Sequence, residues 1–305
     1  MSNSTRVGAA VLDLLASLYP SPVAKRHAAM GKAPGDPGYG DAYARRQYMQ
    51  KVRFGTPAGD ALPPLFGKDV LEIGCGHGGI TCYLASIGAR SVMGIDINTD
   101  NVAYGKRLAE ELAAARGTSL PVAFQEMDAS QLDLPNESYD VVVAENVFEH
   151  FDDPGAVLRE VHRVLRPDGV LVVPVFSSII SKHGLHLKNG LGLPWANLVF
   201  SEETIVAALA RRARRFPRLY EVYPGLRENP RTVRDVRKYR DLNGITYGDF
   251  VALAAESGFD VRKFRVHHTA VGRVVKRLVP RLGDSRVGEA LSTGAAALLT
   301  KRASS

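Results

Sequence analysis

Three acidic positions and one glycine-rich turn carry the chemistry of this 305-residue chain. Glu72 and the glycines Gly74, Gly76 and Gly78 lie in V-L-E-I-G-C-G-H-G-G, Val70 to Gly79, where an apolar run ends in closely spaced residues without Cβ atoms. Such a turn hands a parallel strand over to a helix, and its backbone can come close to a nucleotide. Asp96 ends a second strand, about 20 residues beyond the first glycines, where a carboxylate can accept hydrogen bonds from both ribose hydroxyls. Asp128 closes a third strand-like run, Val122 to Met127. Gly74, Gly76 and Gly79 also satisfy the G-x-G-x-x-G spacing of a dinucleotide site, so the glycines and Asp96 alone do not choose the cofactor. Glu72 and Asp128 do, because a nicotinamide site requires neither.

The elements that must position these residues alternate short β-branched runs with longer helical patterns. Asp69 to Ile73, Ser91 to Ile97, Val122 to Met127, Tyr139 to Glu145 and Gly169 to Val175 are predicted as parallel strands, with helices between them. The clearest helical period is Asp153 to Leu165, with Val157, Leu158, Val161, Val164 and Leu165 on one side. Arg166 to Gly169 then reads as a turn. Gly31 to Gly40, rich in Gly and Pro, reads as a flexible connection after an N-terminal helix.

The ordered set E-I-G-C-G-H-G, G-I-D-I, E-M-D-A, Y-D-V-V-V-A-E-N-V-F-E-H-F and L-R-P-D-G-V-L-V-V resembles the successive motifs of class I S-adenosylmethionine-dependent methyltransferases. The similarity covers about Asp69 to Phe176, resumes in S-G-F-D-V at Ser257 to Val261, and leans toward the small-molecule branch that includes the quinone-biosynthesis enzymes. It implies an α/β fold: a Rossmann-like seven-stranded sheet with helices on both faces. Ala295 to Thr300 would be strand seven, antiparallel between the last parallel strands. It also implies S-adenosyl-L-methionine as cofactor and S-adenosyl-L-homocysteine as product. Carried over, Glu72, Gly74, Gly76 and Gly78 hold the methionine part, Asp96 the ribose and Asp128 the adenine amino group, with Ile97 and Ala129 as further cofactor-binding residues. Glu145 completes the cofactor set. Two bland roles compete: Asp96 as a helix cap in D-I-N-T-D-N, and Asp128 as a surface turn residue.

Methyl transfer from a sulfonium is an in-line displacement, so the protein aligns the reacting atoms, excludes water and removes a proton when the acceptor is a hydroxyl. His150, in E-N-V-F-E-H-F after strand four, is the first candidate base, since an unperturbed imidazole pKa near ~6.5 suits that task. Its alternative role is to brace the loop; His183 and His186 are further candidates. Asn146, Glu149 and His150 fall where metal-dependent ubiquinone O-methyltransferases place two acids and a histidine. The first acid is missing and Glu145 sits one residue early, so no metal is expected.

In the resembled fold the helix before strand six follows soon after strand five, whereas here its counterpart, Tyr247 to Ser257, comes much later. Residues 177–243 therefore read as a helical substrate cap inserted after strand five, with Trp195, Asn197 and Tyr239 as acceptor-binding candidates. An insertion leaving the carboxyl edge of the sheet lands where open α/β sheets bind ligands. The expected division is residues 1–40 as an N-terminal helical segment and linker, 41–176 with 244–305 as the cofactor-binding core, and 177–243 as the cap. Tyr43, with Tyr39 and Tyr48, is a further candidate on the acceptor side, and Arg45 or Arg46 could meet the cofactor's carboxylate.

The formal net charge of +7 is concentrated at Arg211 to Arg218, Arg231 to Arg240 and Arg262 to Arg281. Such clusters attract anions or serve as solvated helix faces. N-P-P-Y or D-P-P-Y is absent after strand four, which argues against base N-methylation, and no nucleic acid partner is expected. Within the last cluster, G-R-V-V-K-R-L-V-P-R-L is expected to pack on the core with Lys276 and Arg277 snorkelling outward; contact with a membrane surface or lipid-linked acceptor is the alternative. Two cysteines, Cys75 and Cys82, imply no disulfide framework, and neither a signal peptide nor a membrane span is legible, so a cytoplasmic protein is expected.

The expected function is methyl transfer from S-adenosylmethionine to a small-molecule or glycan-type metabolite, at oxygen. C- or N-methylation shares every donor motif and is the alternative, followed by a non-catalytic cofactor-binding regulator.

Overall fold

The computed structural model describes residues 2–18, 30–32, 36–54, 62–182, 184, 191–217, 219–222, 242–283 and 285–302. The candidates His183, His186 and Tyr239 lie outside them.

The apolar runs form one seven-stranded sheet: β1 (Asp69–Ile73), β2 (Ser91–Asp96), β3 (Val122–Glu126), β4 (Tyr139–Val143), β5 (Leu165–Phe176), β6 (Phe259–His268) and β7 (Ser292–Lys301), in the order β3-β2-β1-β4-β5-β7-β6. β1 to β5 are parallel. β7 pairs antiparallel with β5 and lies between β5 and β6, as the family resemblance implies. The central strands are continuous apolar runs because both of their faces are covered: Val70, Leu71, Ile73, Val141, Val142, Val143, Leu171, Val172 and Val173 are all buried. From β1 the order runs outward through β2 and β3 on one side, and through β4 and β5 on the other. Right-handed crossovers therefore put helices on both faces and open a crevice at the carboxyl ends of β1 and β4.

The predicted turn at Arg166 to Gly169 is instead part of β5. The pairing register jumps from Tyr139 opposite Leu165 to Val141 opposite Val170, and Asp168 adopts a left-handed φ of 62°. The extra residues are absorbed as an irregularity in the strand, which extends it toward its amino end. The helix predicted at Asp153 to Leu165 spans Pro154–Val164, with the Asp153 carboxylate accepting from Ala156 N–H at 2.9 Å and Pro154 in the first turn. The helix before β6 spans Tyr247–Glu256.

The chain divides into two compact units: residues 40–176, 247–267 and 294–305 in one, and residues 1–39, 177–246 and 268–293 in the other. The sequence reading put residues 268–293 with the core, but they group with the N-terminal helix and the inserted segment, since between β6 and β7 the chain leaves the sheet to form short helices.

Inside this second unit, helix Asn3–Leu18 lays Ala9, Leu12 and Ala16 against Ile205, Val206, Leu209 and Ala213 of helix Glu202–Arg215. Asp13, its side chain 3% exposed, meets Arg212 Nη1 at 3.1 Å, Arg211 Nε at 3.3 Å and the Arg215 guanidinium. That part of the basic cluster is turned onto an internal carboxylate. The segment Ala270–Leu278 is helical but not packed as expected: only Gly272 is buried, and Val271, Val274 and Leu278 face water. Among the described residues no helix is long and apolar enough to cross a membrane.

Candidate functional site

The turn after β1 is built from left-handed glycines: Gly74, Gly76 and Gly78 have φ of 65°, 51° and 77°. The reasons differ by position. A Cβ on Gly78 would lie 2.5 Å from the Gly105 Cα, so the helix Thr99–Arg116 requires a glycine there. A Cβ on Gly76 would meet nothing within 4 Å, so at that point the backbone borders open space. Gly76 N–H donates to Asp96 Oδ2 at 2.9 Å, and Cys75 N–H donates to the Ile95 carbonyl at 2.8 Å, tying the loop to the end of β2.

Asp96 is therefore not the cap of the following helix. That cap is Asn98, whose side chain accepts from Asn101 N–H at 3.1 Å. The other Asp96 oxygen accepts from Asn98 N–H at 2.9 Å and from the Asn101 side-chain amide at 3.1 Å, which fixes the carboxylate at the strand end. Next to it Ile97 is 73% exposed, an apolar side chain presented beside a polar strand end. Asp128 is exposed and accepts from both the backbone N–H and hydroxyl of Ser130 at 2.8 Å, while Ala129 is buried. Met127 N–H donates to the Asp96 carbonyl at 3.1 Å, so the ends of β2 and β3 are linked.

Beneath the loop, Glu72 is buried and accepts a short hydrogen bond from the Thr81 hydroxyl. Burial pushes its carboxyl pKa up to about 8; the negative charges of Glu145 and Asp96 add to the rise, while the Thr81 bond and Lys51 oppose it. Glu145, just past β4, is held by Lys51 Nζ at 2.6 Å to each oxygen, both side chains being nearly buried. The sequence reading missed Lys51. It sits in the last turn of helix Tyr39–Phe54, where a lysine is ordinarily a solvated residue, and nothing local marks a partner 94 positions away.

That helix crosses the start of helix Gly79–Ser86, where a Cβ on Gly79 would lie 2.5 Å from Gln47 Cβ and 2.7 Å from the Ala44 carbonyl. Gln47 Oε1 is buried with no hydrogen-bond partner among the described residues, an acceptor held beside the loop. Tyr43, a candidate on the acceptor side, packs against His77 of the glycine loop at 5.0 Å; Tyr104 stacks on the same imidazole at 5.1 Å and 12°. Burial lowers the His77 pKa, with Asp96 and Asp41 acting against it. Arg45 is paired with Glu111 on the exposed surface at 2.6 Å.

His150 closes a short 3₁₀ turn after β4, Phe148–His150, with its N–H on the Val147 carbonyl at 2.8 Å. The turn is anchored by Phe148, fully buried against Phe250 at 5.0 Å, with Phe250 in turn 4.7 Å from Phe176. Asn146, at a left-handed φ of 58°, donates to the Val175 carbonyl at 2.6 Å and starts this turn at the ends of β4 and β5. The backbone of His150 is thus carried by a turn seated on an aromatic cluster. Glu149 is buried beside it, and among the described residues no cluster of three or more His, Cys, Asp or Glu groups forms that could hold a metal. Burial pushes the Cys82 thiol up to about 12 and raises Cys75 further, so neither is a nucleophile at neutral pH.

Trp195 and Asn197 belong to the second unit. Trp195 Nε1 donates to the Ala290 carbonyl at 2.6 Å, so its one polar group is already engaged; Asn197 lies in the short helix Ala196–Val199.

Residues 71–173 match the methyltransferase-domain family. The chain is 32% identical over 126 residues to a ubiquinone biosynthesis O-methyltransferase of Haemophilus ducreyi, covering 40% of this chain and 50% of the relative. It spans about half the length of the curated relatives it matches first. In structure it resembles an S-adenosylmethionine-dependent methyltransferase from Mesorhizobium loti with a TM-score of 0.51 at 16% identity, covering 80% of this chain and 95% of the other. A similar match is phosphoethanolamine N-methyltransferase 2 of Haemonchus contortus in complex with S-adenosyl-L-methionine, with a TM-score of 0.51, 14% identity and 85% and 53% coverage. These structural likenesses establish the fold.

Proposed function

We propose that this chain, whose core is a class I S-adenosylmethionine-dependent methyltransferase domain, transfers a methyl group from S-adenosylmethionine to a small-molecule or glycan-type acceptor, at oxygen, releasing S-adenosylhomocysteine. The observation that carries the donor assignment is Gly76: left-handed, open on its ligand side, and fixed through its N–H to Asp96. A loop bordering open space beside a carboxylate, with Ile97 exposed next to it and the buried, unpartnered Gln47 oxygen near the helix start, fits an adenosyl amino acid.

In this reading the Gly74–Gly78 turn carries the methionine part, Asp96 takes the ribose hydroxyls, Ile97 covers one face of the adenine, and Asp128 with Ala129 meets its edge. Glu145, oriented by Lys51, completes the amino-acid end of the pocket. S-Adenosylmethionine supplies an electrophilic methyl on a sulfonium. The protein's part is to align the acceptor oxygen, keep water out and hold the departing proton, and His150, on its aromatic base at the β4 end, is assigned that proton. Oxygen is favoured as acceptor by this histidine and by the similarity to ubiquinone O-methyltransferases. The inserted segment, which follows β5 from Ser177, is assigned to acceptor recognition, with Trp195 as its candidate; the Asn197 side chain lies outside the described residues.

Calorimetry of S-adenosylhomocysteine and NAD with the wild type and Asp96→Ala tests the donor site. Selective binding of S-adenosylhomocysteine, weakened roughly 30-fold or more by the loss of a charged hydrogen-bond acceptor, is expected; binding of NAD, or of neither, overturns the reading. Mass spectrometry of phenol, carboxylate and amine panels after incubation with S-adenosylmethionine then distinguishes oxygen from nitrogen acceptors. His150→Ala should lower kcat about a hundredfold with donor affinity unchanged.

A further inference from the structure

We propose that the helix Ala270–Leu278 and the turn that follows it seat this chain on an anionic lipid bilayer. Val271, Val274 and Leu278 are 60%, 57% and 74% exposed, and Val279 and Leu282 beyond the helix are exposed as well. At about 100° per residue the three helical positions fall within about 60° of one another, while Arg273, Lys276 and Arg277 occupy the opposite half. With Arg281 the segment carries four cations, and no Asp or Glu stands between Asp260 and Asp284. An apolar stripe facing water, backed by a purely cationic face, is the pattern of a helix that lies in a membrane interface.

The helix is held in a defined orientation. Thr269 caps it, its hydroxyl accepting from Gly272 N–H at 3.0 Å, and Thr269 N–H donates to the Leu291 carbonyl at 2.8 Å. A Cβ on Gly272 would lie 2.5 Å from that same carbonyl, so the helix rests on the 291 turn along its glycine edge. The apolar stripe points away from that edge by construction. Contact with water disfavours it, and insertion among acyl chains relieves that cost. The cations choose the surface: each Lys or Arg near an anionic leaflet strengthens binding about fivefold. A second copy of this chain is a poor occupant, because it would bring two like-charged segments together.

The test is co-sedimentation of the full chain with vesicles of phosphatidylcholine alone, or with about 30% phosphatidylglycerol, at low salt and at about 0.5 M salt. Binding to the anionic vesicles is expected, with little to neutral ones and release at high salt. Leu278→Asp should reduce binding more than tenfold, and Arg277→Gln with Arg281→Gln roughly 25-fold. All of these side chains are exposed, so thermal melting and S-adenosylhomocysteine calorimetry should match the wild type. Equal partition into both vesicle types, no sedimentation, or indifference to Leu278→Asp overturns the proposal. So does a dimer in light scattering that Leu278→Asp dissociates, which would name a second copy as the occupant. Vesicle binding does not depend on the donor site, so a failure of the methyltransferase reading would show in calorimetry alone.

Discussion

Lys51 Nζ stands 2.6 Å from both carboxylate oxygens of Glu145, joining the helix before β1 to the residue just beyond β4. The two side chains are 10% and 12% exposed, so this is an ion pair largely removed from water, at the edge of the crevice where the chain crossovers diverge. Two charges are placed there for something more than packing, since an apolar pair of similar volume would be as stable or more so.

Lys51→Met should therefore destabilise the fold by about 3 kcal/mol, because it strands the Glu145 carboxylate. The double variant Lys51→Met with Glu145→Leu should regain most of that stability in thermal melts. Donor affinity behaves differently: both variants are expected to bind S-adenosylhomocysteine at least tenfold more weakly in calorimetry. A double variant that binds like the wild type would make the pair purely structural and remove Glu145 from the donor site.

The two glycines of the loop make opposite predictions. Gly76→Ala strains a left-handed backbone by about 1 kcal/mol but its methyl meets open space, so the chain should fold nearly as before while donor affinity drops more than tenfold. Gly78→Ala forces a methyl to 2.5 Å from the Gly105 Cα as well, and should lower the melting temperature strongly. Calorimetry and melting curves on the same two proteins separate a ligand-facing glycine from a packing one.

What the sequence made legible is local. Five strands, the glycine turn, Asp96 at a strand end and the Asp153-capped helix are written in contiguous residues, through apolar runs, missing Cβ atoms and side chains that reach their own backbone. The misses come from pairings between distant positions. Lys51 looks like a solvated lysine until Glu145 is brought to it, and nothing local to Tyr43 announces its contact with His77. The same holds for Arg166 to Gly169: R-P-D-G has turn composition, but the neighbouring β4 recruits it into a strand. Residues 268–293 stand between β6 and β7 in sequence yet group with the other unit, and hydrophobic periodicity in Ala270–Leu278 does not say whether the apolar side meets protein or water.

At the opposite, amino end of the strands, Asp69 binds Arg90, Ser91 and Arg166, and Arg166 also reaches Asp140 at 2.9 Å. The hydrogen bond from Arg90 is the main reason the Asp69 carboxyl is held far below the usual carboxylate range, against the penalty of its partial burial. Its folded pKa being depressed, its contribution to stability is complete above the unfolded value of about 3.9 and fades as pH falls below it. Asp69→Asn should cost about 1 kcal/mol at pH 7 and clearly less at pH 2, where the unfolded chain has taken up the proton but the folded carboxylate has not fully done so. Urea titrations at the two pH values check this. An equal loss at both would show that the network acts through packing rather than charge.

Glu72 has the reverse sign. Burial first, then the charges of Glu145 and Asp96, raise its carboxyl pKa to about 8, so at neutral pH the folded chain holds a proton there that the unfolded chain, with a pKa near 4.3, has released. The proton-linked stabilisation is whole below about pH 4, declines as pH rises, and is gone above about pH 8. Glu72→Gln does not titrate and keeps an acceptor for the Thr81 hydroxyl, so it should melt at a temperature that gains on the wild type steadily from pH 5 to pH 8 and levels off beyond. Thermal melts across that range decide the matter. If the difference is flat, Glu72 is ionised throughout and Lys51, rather than a proton, balances it. Lys51→Met would then restore the slope, since removing the cation leaves the buried carboxyl no nearby positive charge but a proton.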